Sequence, residues 1–321
     1  MITLTKLAKL ANVSVSTASK AFSGSREVND ETRDHIFRVA KEHECFKKFY
    51  NVKYPKLVIA VIAPEFRSMY YIRHLSVLQN CLDAENCEIC VSTTDFSPER
   101  EKELIEYYYR HSNVDGIIIV GSVSKFIDQY EIPIVLVNSA QEDANCLKID
   151  SNSLNFALMQ VADYLNKKNV TSVGFIGEKL TNRKLATMKE CLADRNIVLE
   201  ESFVSISDGR FEEGGYQAME KMFFENKLPR ALICAYDHMA IGATRCIYDH
   251  GLCVPNDIAV LGMDDIPEAK FLNPPLASVS TPIENMCKLA AETVVKRIKG
   301  EEISCSSAGD CEFILRRSFE F

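Results

Sequence analysis

The stretch LTKLAKLANVSVSTASKAF, from Leu4 to Phe22, holds two short amphipathic segments separated by a single break at Asn12. Leu4, Leu7, Ala8 and Ala11 fall at i, i+3, i+4 and i+7, one apolar face of a helix. Val15, Ala18 and Phe22 continue at helical spacing after the break. Asparagine suits a turn that needs φ > 0, and Ser14 suits the N-cap of the second helix. Working outward, Ser23-Gly24-Ser25 reads as a loop. A third helix opens at Asn29, an N-cap ahead of Asp30-Glu31, and buries Ile36, Val39 and Ala40. Residues 1–46 therefore read as an all-α unit of three helices.

The tip of the second helix is small and uncharged. A helix that enters the DNA major groove tip-first offers short side chains to base edges, and hydroxyls and amides to phosphates. Val15 can touch a thymine methyl, and Ser16 can bond either kind of base edge. Thr17, Ser19 and Lys20 suit phosphate or groove-floor contacts, with Arg26, Arg33 and the lysines of 47–56 as further phosphate ligands. The charge distribution agrees. The chain carries −8 overall, yet its first 50 residues hold nine Lys/Arg against six Asp/Glu, and the remainder holds 28 against 39. An acidic body repels polyanions, so the basic end is the polyanion contact.

Residues 47–56, KKFYNVKYPK, break the helical pattern and read as a linker. From Leu57 the rhythm changes. LVIAVIAP is a continuous apolar run, the mark of a strand buried on both faces. Similar runs follow at 87–93, 114–122, 132–139, 170–178, 230–237 and 257–265. Amphipathic helices lie between them at Glu99–His111, Phe156–Lys168, Lys184–Arg195, Glu213–Glu225 and Met239–His250. Such alternation makes parallel, doubly wound α/β sheets, and about ten units are too many for one, so two lobes are expected. Ligands sit beyond the C-terminal strand ends of these sheets, here the segments 64–71, 93–97, 121–122, 138–141, 177–184, 236–237 and 264–265. If the lobes face each other, these tips line one cleft.

Several classes are disfavoured by what is missing. There is no P-loop, GxGxxG or GxSxG. The six histidines, His35, His43, His74, His111, His238 and His250, lack metal spacing, and only His238 lies near a strand tip, beside Asp237. The 12 cysteines are scattered; Cys87 and Cys90, the one close pair, read as buried thiols on a strand. No cofactor, metal or catalytic residue is therefore assigned. No apolar run is long enough to span a bilayer and no signal-peptide layout opens the chain, so a cytoplasmic protein without a membrane partner is expected.

The headpiece stretch TLTKLAKLANVSVSTASKAFSGSREVNDETRDHIFRVAKEHECF resembles the DNA-binding region of the LacI/GalR family of bacterial transcription regulators. That family shows T-x-x-x-V-A-x-x-A-G-V-S-x-x-T-V-S-R-x-x-N, then V-S-x-x-T-R. This chain supplies Thr3, Leu7-Ala8, Ala11, Val13-Ser14, Thr17, Ser19-Lys20 and Ser23, then Val28-Asn29 and Thr32-Arg33. Body landmarks follow in the family's order: VDGIIIVGS (114–122), EEGGYQAM (212–219), YDHMAIGA (236–243), VPNDIAVLGMDDIPEA (254–269), NPPLASVSTP (273–282) and ILRRS (314–318). The resemblance covers essentially the whole chain. It implies a helix-turn-helix headpiece (1–46), a linker or degenerate hinge (47–56) and a periplasmic-binding-protein-like core (57–321). The N-lobe would hold about 57–150 plus 283–304 and the C-lobe about 151–279 plus 310–321, with crossovers near 150–153, 279–283 and 304–310.

The function implied is a transcriptional repressor that binds a pseudo-palindromic, double-stranded operator as a homodimer. A small effector, a sugar or sugar derivative in the interlobe cleft, would tune it. The alternative is a regulator that uses a corepressor or protein partner, with a cleft that takes no sugar. The DNA-contacting set implied is Thr3, Leu4, Thr5, Ser14, Val15, Ser16, Thr17, Ser19, Lys20, Ser23, Asn29 and Thr32. The effector set is Phe66, Tyr70 and Tyr71 as an aromatic platform; Arg183 and Lys184 at or next to a family arginine; and Tyr236, Asp237 and Asp264, the carboxylates serving as acceptors for vicinal hydroxyls. Two departures stand out. Tyr236 replaces the family's asparagine and narrows the pocket, and residues 47–56 lack the family's hinge-helix A-R and lever leucine. Phe49 and Tyr50 are the large side chains nearest to that lever.

Overall fold

The computed structural model describes residues 2–25, 27–49, 56–112, 114–122, 130–139, 147–150, 154–301 and 308–321. The chain divides into two compact units, Met1–Leu57 and Val58–Phe321, each with its own core. Among the described residues no helix is long and apolar enough to cross a membrane.

The first unit holds α1 (Leu4–Leu10), α2 (Val15–Phe22), α3 (Asp30–Glu42) and a single turn, α4 (Phe46–Phe49). The break between α1 and α2 is left-handed at Asn12, φ 53°, a region asparagine tolerates. Leu7, Ala21, Phe22, Ile36 and Ala40 are buried between the helices. Residues 47–49 of the expected linker belong to the helical turn α4. Phe46 and Phe49 turn back on the core, with ring centroids 5.0 Å from Phe37 and 5.8 Å from Phe22 respectively. Lys48 Nζ donates to the Ile2 carbonyl at 3.0 Å. Burial of these rings gives α4 a reason to form that local periodicity does not supply. Phe49 is therefore a core residue of the headpiece and not a free wedge, while Tyr50 lies outside the described residues.

The second unit opens with β1 (Leu57–Ala63), α5 (Met69–Ala84), β2 (Cys87–Thr93), α6 (Pro98–His111), β3 (Gly116–Val120), β4 (Ile134–Val137) and β5 (Leu147–Ile149). It continues with α7 (Leu154–Lys167), β6 (Val173–Glu178), α8 (Asn182–Ala193), β7 (Val204–Ser207), α9 (Phe211–Phe224), β8 (Ala231–Cys234), α10 (Asp237–Asp249) and β9 (Ala259–Leu261). Last come β10 (Ser278–Ser280), α11 (Ile283–Lys299) and β11 (Glu312–Ile314). One sheet has the order β2-β1-β3-β4-β5, the other β7-β6-β8-β9. The pairs β1/β3, β3/β4 and β4/β5, and β6/β7, β6/β8 and β8/β9, are all parallel. β10 and β11 pair antiparallel, and α11 packs back on α5 and the first sheet. The chain thus returns to the first lobe through α11 and to the second through β11. The crossovers expected near 150–153 and 304–310 lie largely outside the described residues.

Strand order changes direction between β1 and β3 in one sheet and between β6 and β8 in the other. Loops leaving those strand ends diverge and open a crevice. Two glycines of the EEGGYQAM and YDHMAIGA landmarks set the packing of α9 on α10. A Cβ on Gly215 would stand 2.1 Å from the Met239 carbonyl oxygen, and one on Gly242 1.8 Å from that of Glu212. Only glycine permits so close an approach.

The long apolar runs became strands and the five expected helices lie within two residues of their boundaries. Three short strands, β5, β7 and β10, were missed. β5 has three residues and β7, VSIS, alternates with only one buried position. The segment 64–71, expected as a strand-end loop, already enters α5 at Met69. Cys87 is buried and Cys90 only half-buried on β2, and a separation of three on a strand turns them to opposite faces.

Candidate functional site

Helix α2 begins where Ser14 Oγ accepts from the Thr17 N–H at 2.9 Å. The Ser14 and Thr17 hydroxyls are also bonded, at 2.7 Å. Asn29 Oδ1 accepts from the Thr32 N–H at 2.8 Å and Thr3 Oγ1 from the Lys6 N–H at 3.3 Å. Three members of the expected DNA-contacting set, Thr3, Ser14 and Asn29, are thus N-caps, and each satisfies an amide that the helix leaves free. Ser23 caps the other end of α2, its hydroxyl donating to the Lys20 carbonyl. Leu4 packs against the headpiece core, and Thr32 is half-buried. Lys20 forms an ion pair with Glu27. Thr3, Thr5, Ser14, Val15, Ser16, Ser19, Ser23 and Asn29 stand exposed, and of these Thr5, Val15, Ser16 and Ser19 are the ones that cap no helix, Val15 at 43% exposure.

Arg33 is a correction. Its guanidinium donates to the Ser25 and Val28 carbonyls at 2.7 and 2.9 Å and to Asp30 at 2.7 Å. It pins the loop before α3 and is not a free phosphate ligand. Arg26 lies outside the described residues.

In the second unit the strand ends enclose a cavity of about 460 Å³. Tyr70, Tyr71, Phe96 and Asn138 line it from the first lobe, and Lys184, Arg210, Tyr236 and Asp264 from the second. Apolar rings among a few convergent polar groups are the usual wall of a small-molecule site. Tyr70 and Tyr71 stand in the first turn of α5, ring centroids 5.2 Å apart and edge to face. Burial raises the pKa of both phenols, so both are neutral hydrogen-bonding groups. Asn138, left-handed at φ 51°, donates to the Tyr70 hydroxyl.

Lys184 is fixed from three sides. Its ammonium donates to the Ala235 carbonyl at 2.7 Å, pairs with Asp264 at 3.3 Å and sits over the Tyr236 ring, 4.7 Å from its centroid. Asp264 has φ 105°, a strained conformation for a residue with a Cβ. Burial raises its carboxyl pKa and Lys184 opposes the shift. Arg183 is exposed and borders the same cavity. Tyr236 donates its hydroxyl to Glu178 at 2.7 Å; burial, then that bond, holds the phenol well above its ordinary pKa.

Two expected effector residues are not in the cavity wall. Asp237 is fully buried. Its Oδ1 accepts from the Ser278 hydroxyl at 2.6 Å and its Oδ2 from the Ile266 N–H at 2.8 Å. Both oxygens are consumed inside the lobe, tying α10 to β10 and to the turn after β9. Phe66 points to solvent at 36% exposure, and Phe96 supplies the ring instead. His238 turns from Asp237 to Glu212, Nδ1 to Oε1 at 2.6 Å. Among the described residues no group of three or more side chains could hold a metal ion.

Arg210, Phe96, Asn138 and Asp150 are wall residues that sequence reasoning did not select. Asn138 and Phe96 lay inside strand-end segments whose polar or aromatic members were not singled out. Arg210 had one usable signal, the alternating VSIS run of β7: a strand there places Gly209-Arg210 at a C-terminal end. A second hollow, on the outer face of α9 beside Phe224 and His250, is open surface, with Phe224 92% exposed.

Residues 3–45 match the model of the bacterial regulatory proteins of the lacI family, and residues 162–319 match the periplasmic binding protein-like domain. The chain is 27% identical over 310 residues to the ribose operon repressor of Haemophilus influenzae, covering 93% of this chain and 92% of that protein. A LacI-family transcriptional regulator from Silicibacter pomeroyi superposes with a TM-score of 0.75 at 20% identity, with 99% of each chain covered. A complex of the transcriptional regulator CelR with cellobiose gives a TM-score of 0.69 at 22% identity, covering 99% of this chain and 100% of that one.

Proposed function

The chain belongs to the lacI family of bacterial regulatory proteins, a DNA-binding transcriptional repressor by kinship, and from that premise we propose how it works. Two headpieces of a homodimer read the two halves of a pseudo-palindromic operator, each through the exposed edge of α2. A sugar or sugar derivative enters the cavity between the lobes and changes the spacing of the headpieces. The protein acts by binding, without catalysis. By linkage, effector and operator alter each other's affinity by the same factor.

The observation that carries the effector half is the Lys184–Asp264–Tyr236 group at the end of β8 and β9. A cation, a carboxylate and a ring face within 5 Å, at the strand-order switch point, fit a polyhydroxylated ligand with one apolar face. The ribose repressor and the cellobiose complex are relatives whose names point to sugars, which supports the same class. The DNA half rests on Thr5, Val15, Ser16 and Ser19, the exposed small side chains of α1 and α2.

Full-length protein is used to select operator fragments from genomic DNA, and the selected duplex is then titrated with and without D-ribose, D-glucose and cellobiose. A protected palindrome whose affinity moves with one sugar, and moves less in Lys184→Met, is expected. Retention of the same sugar response in Lys184→Met would reject the assignment of the cleft.

A further inference from the structure

Arg210 makes contacts that span both lobes. It lies between the end of β7 and the start of α9, in the second lobe. Its Nη1 donates to Glu65 Oε2 at 2.8 Å, and Glu65 follows β1 in the first lobe. Its Nε lies 3.4 Å from Glu178 Oε1, at the end of β6. Three rings surround the guanidinium: Phe211 at 4.8 Å and Tyr236 at 5.9 Å from its own lobe, and Phe96 at 5.1 Å from the other. Glu65 and Glu178 are almost fully buried, at 7% and 4% exposure. Burial disfavours charge on Arg210, but Glu65, through its hydrogen bond and charge, and Tyr236 together outweigh it and hold the guanidinium more firmly protonated than usual.

These contacts are conditional on the lobes being together. Glu65 Oε1 is buried with no hydrogen-bond partner, so the carboxylate depends on Arg210 for its compensation. Take the lobes apart and Glu65 loses its bond to Arg210, while Arg210 loses one carboxylate and one ring. With the lobes together, removing Arg210 would leave a buried carboxylate without its partner, which is strongly disfavoured, and the cation–π contacts are strongest when desolvated. Among the described residues Arg73 Nη1 also reaches the Asp265 carbonyl, a long contact at 3.4 Å, and the Arg67 guanidinium lies 5.6 Å from the Phe211 ring centroid.

We propose that Arg210 is a positioning residue that clamps the two lobes together through Glu65 and Phe96, assembling the effector wall with a cation of the chain's own. The clamp rests on the reading of the cleft as the effector site only for its purpose. Its test needs neither effector nor operator, so failure of that reading leaves the result untouched.

Hydrogen–deuterium exchange of the full chain reads the clamp by segment. Arg210→Ala should raise exchange of first-lobe amides at 64–68 and 93–97 roughly tenfold, as local opening becomes easier, leaving 4–22 in the headpiece unchanged. Glu65→Gln, which removes the charge and keeps the shape, should raise exchange at 207–212 in the opposite lobe by a similar factor. The double variant should show no more than the larger single effect. Millimolar methylguanidinium should restore protection in Arg210→Ala, and Arg210→Lys should restore part of it. If Arg210→Ala does not fold, Glu65→Gln decides alone. Unchanged exchange at 207–212 in Glu65→Gln, or additive effects in the double variant, would overturn the clamp.

Discussion

The headpiece and the cleft place their working atoms on opposite sides of the solvent boundary. On α2 the side chains free to meet DNA are exposed, and the bonds that organise them are local: Ser14 to Thr17 and Asn29 to Thr32, each three residues apart, and Lys20 to Glu27, seven apart. In the cleft the bonds span 145 residues from Glu65 to Arg210, 80 from Lys184 to Asp264 and 58 from Glu178 to Tyr236. A surface reader can be built from one supersecondary unit because its ligand supplies the other half of the site. A cleft must bring its own halves together, so it carries buried charge and depends on long-range order.

That contrast makes unequal demands on stability, and substitutions should expose it. The largest effect is expected at Asp237. Asp237→Ala leaves the Ser278 hydroxyl and the Ile266 N–H buried without an acceptor, at roughly 3 kcal/mol or more. Urea unfolding should show the loss in the second unit, with Asp237→Asn much milder. If Asp237→Ala keeps full stability and loses only sugar binding, the carboxylate is a ligand after all.

Next comes acid. His74 is buried in α5, its Nδ1–H donating to the Tyr70 carbonyl at 2.8 Å and its Nε2 unpartnered. Burial lowers its pKa from 6.5 to about 4. The unfolded chain then takes up a proton that the folded chain refuses. Stability is full above about pH 6.5 and falls between there and about pH 4, by roughly 3 kcal/mol at the limit. Asp237 and Asp264, raised by burial, push the other way. The comparison is therefore between wild type and His74→Asn, whose difference should shrink as pH falls through this window. A constant difference would remove His74 from the account.

Smaller still is Ser14→Ala. Loss of the N-cap should lower headpiece stability by about 1 kcal/mol and leave sugar affinity of the core unchanged. Smallest is Ser16→Ala, with less than roughly 0.5 kcal/mol on stability. It should weaken binding to the selected operator while leaving the salt dependence on random duplex as it was, because it removes a base contact and no phosphate contact. The ordering itself tests the comparison. Headpiece variants should separate stability from DNA reading, and cleft variants should mix stability with ligand binding.

Local chemistry was legible in the amino acids alone. Periodicity placed α1 to α3, the apolar runs marked the long strands, and asparagine at position 12 announced its left-handed turn, because each of these is settled by neighbours within a turn or two. The same reasoning failed at β7 and α4. VSIS is too short and too alternating to stand out, and the turn at 46–49 forms only because Phe22 and Phe37 offer rings to pack on.

Asp237 and Asp264 show where reading along the chain stops. Both are aspartates just past a buried strand, and the resemblance implied the same ligand role for both. Asp237 opens a helix and points inward to Ser278 and Ile266; Asp264 sits at φ 105° and faces the cavity and Lys184. Residue type and order determined the fold, the headpiece and the arrangement of strand ends around a cleft. Which carboxylate serves the ligand and which serves the lobe was decided only by tertiary structure, because a buried charge goes where donors from distant segments converge on it.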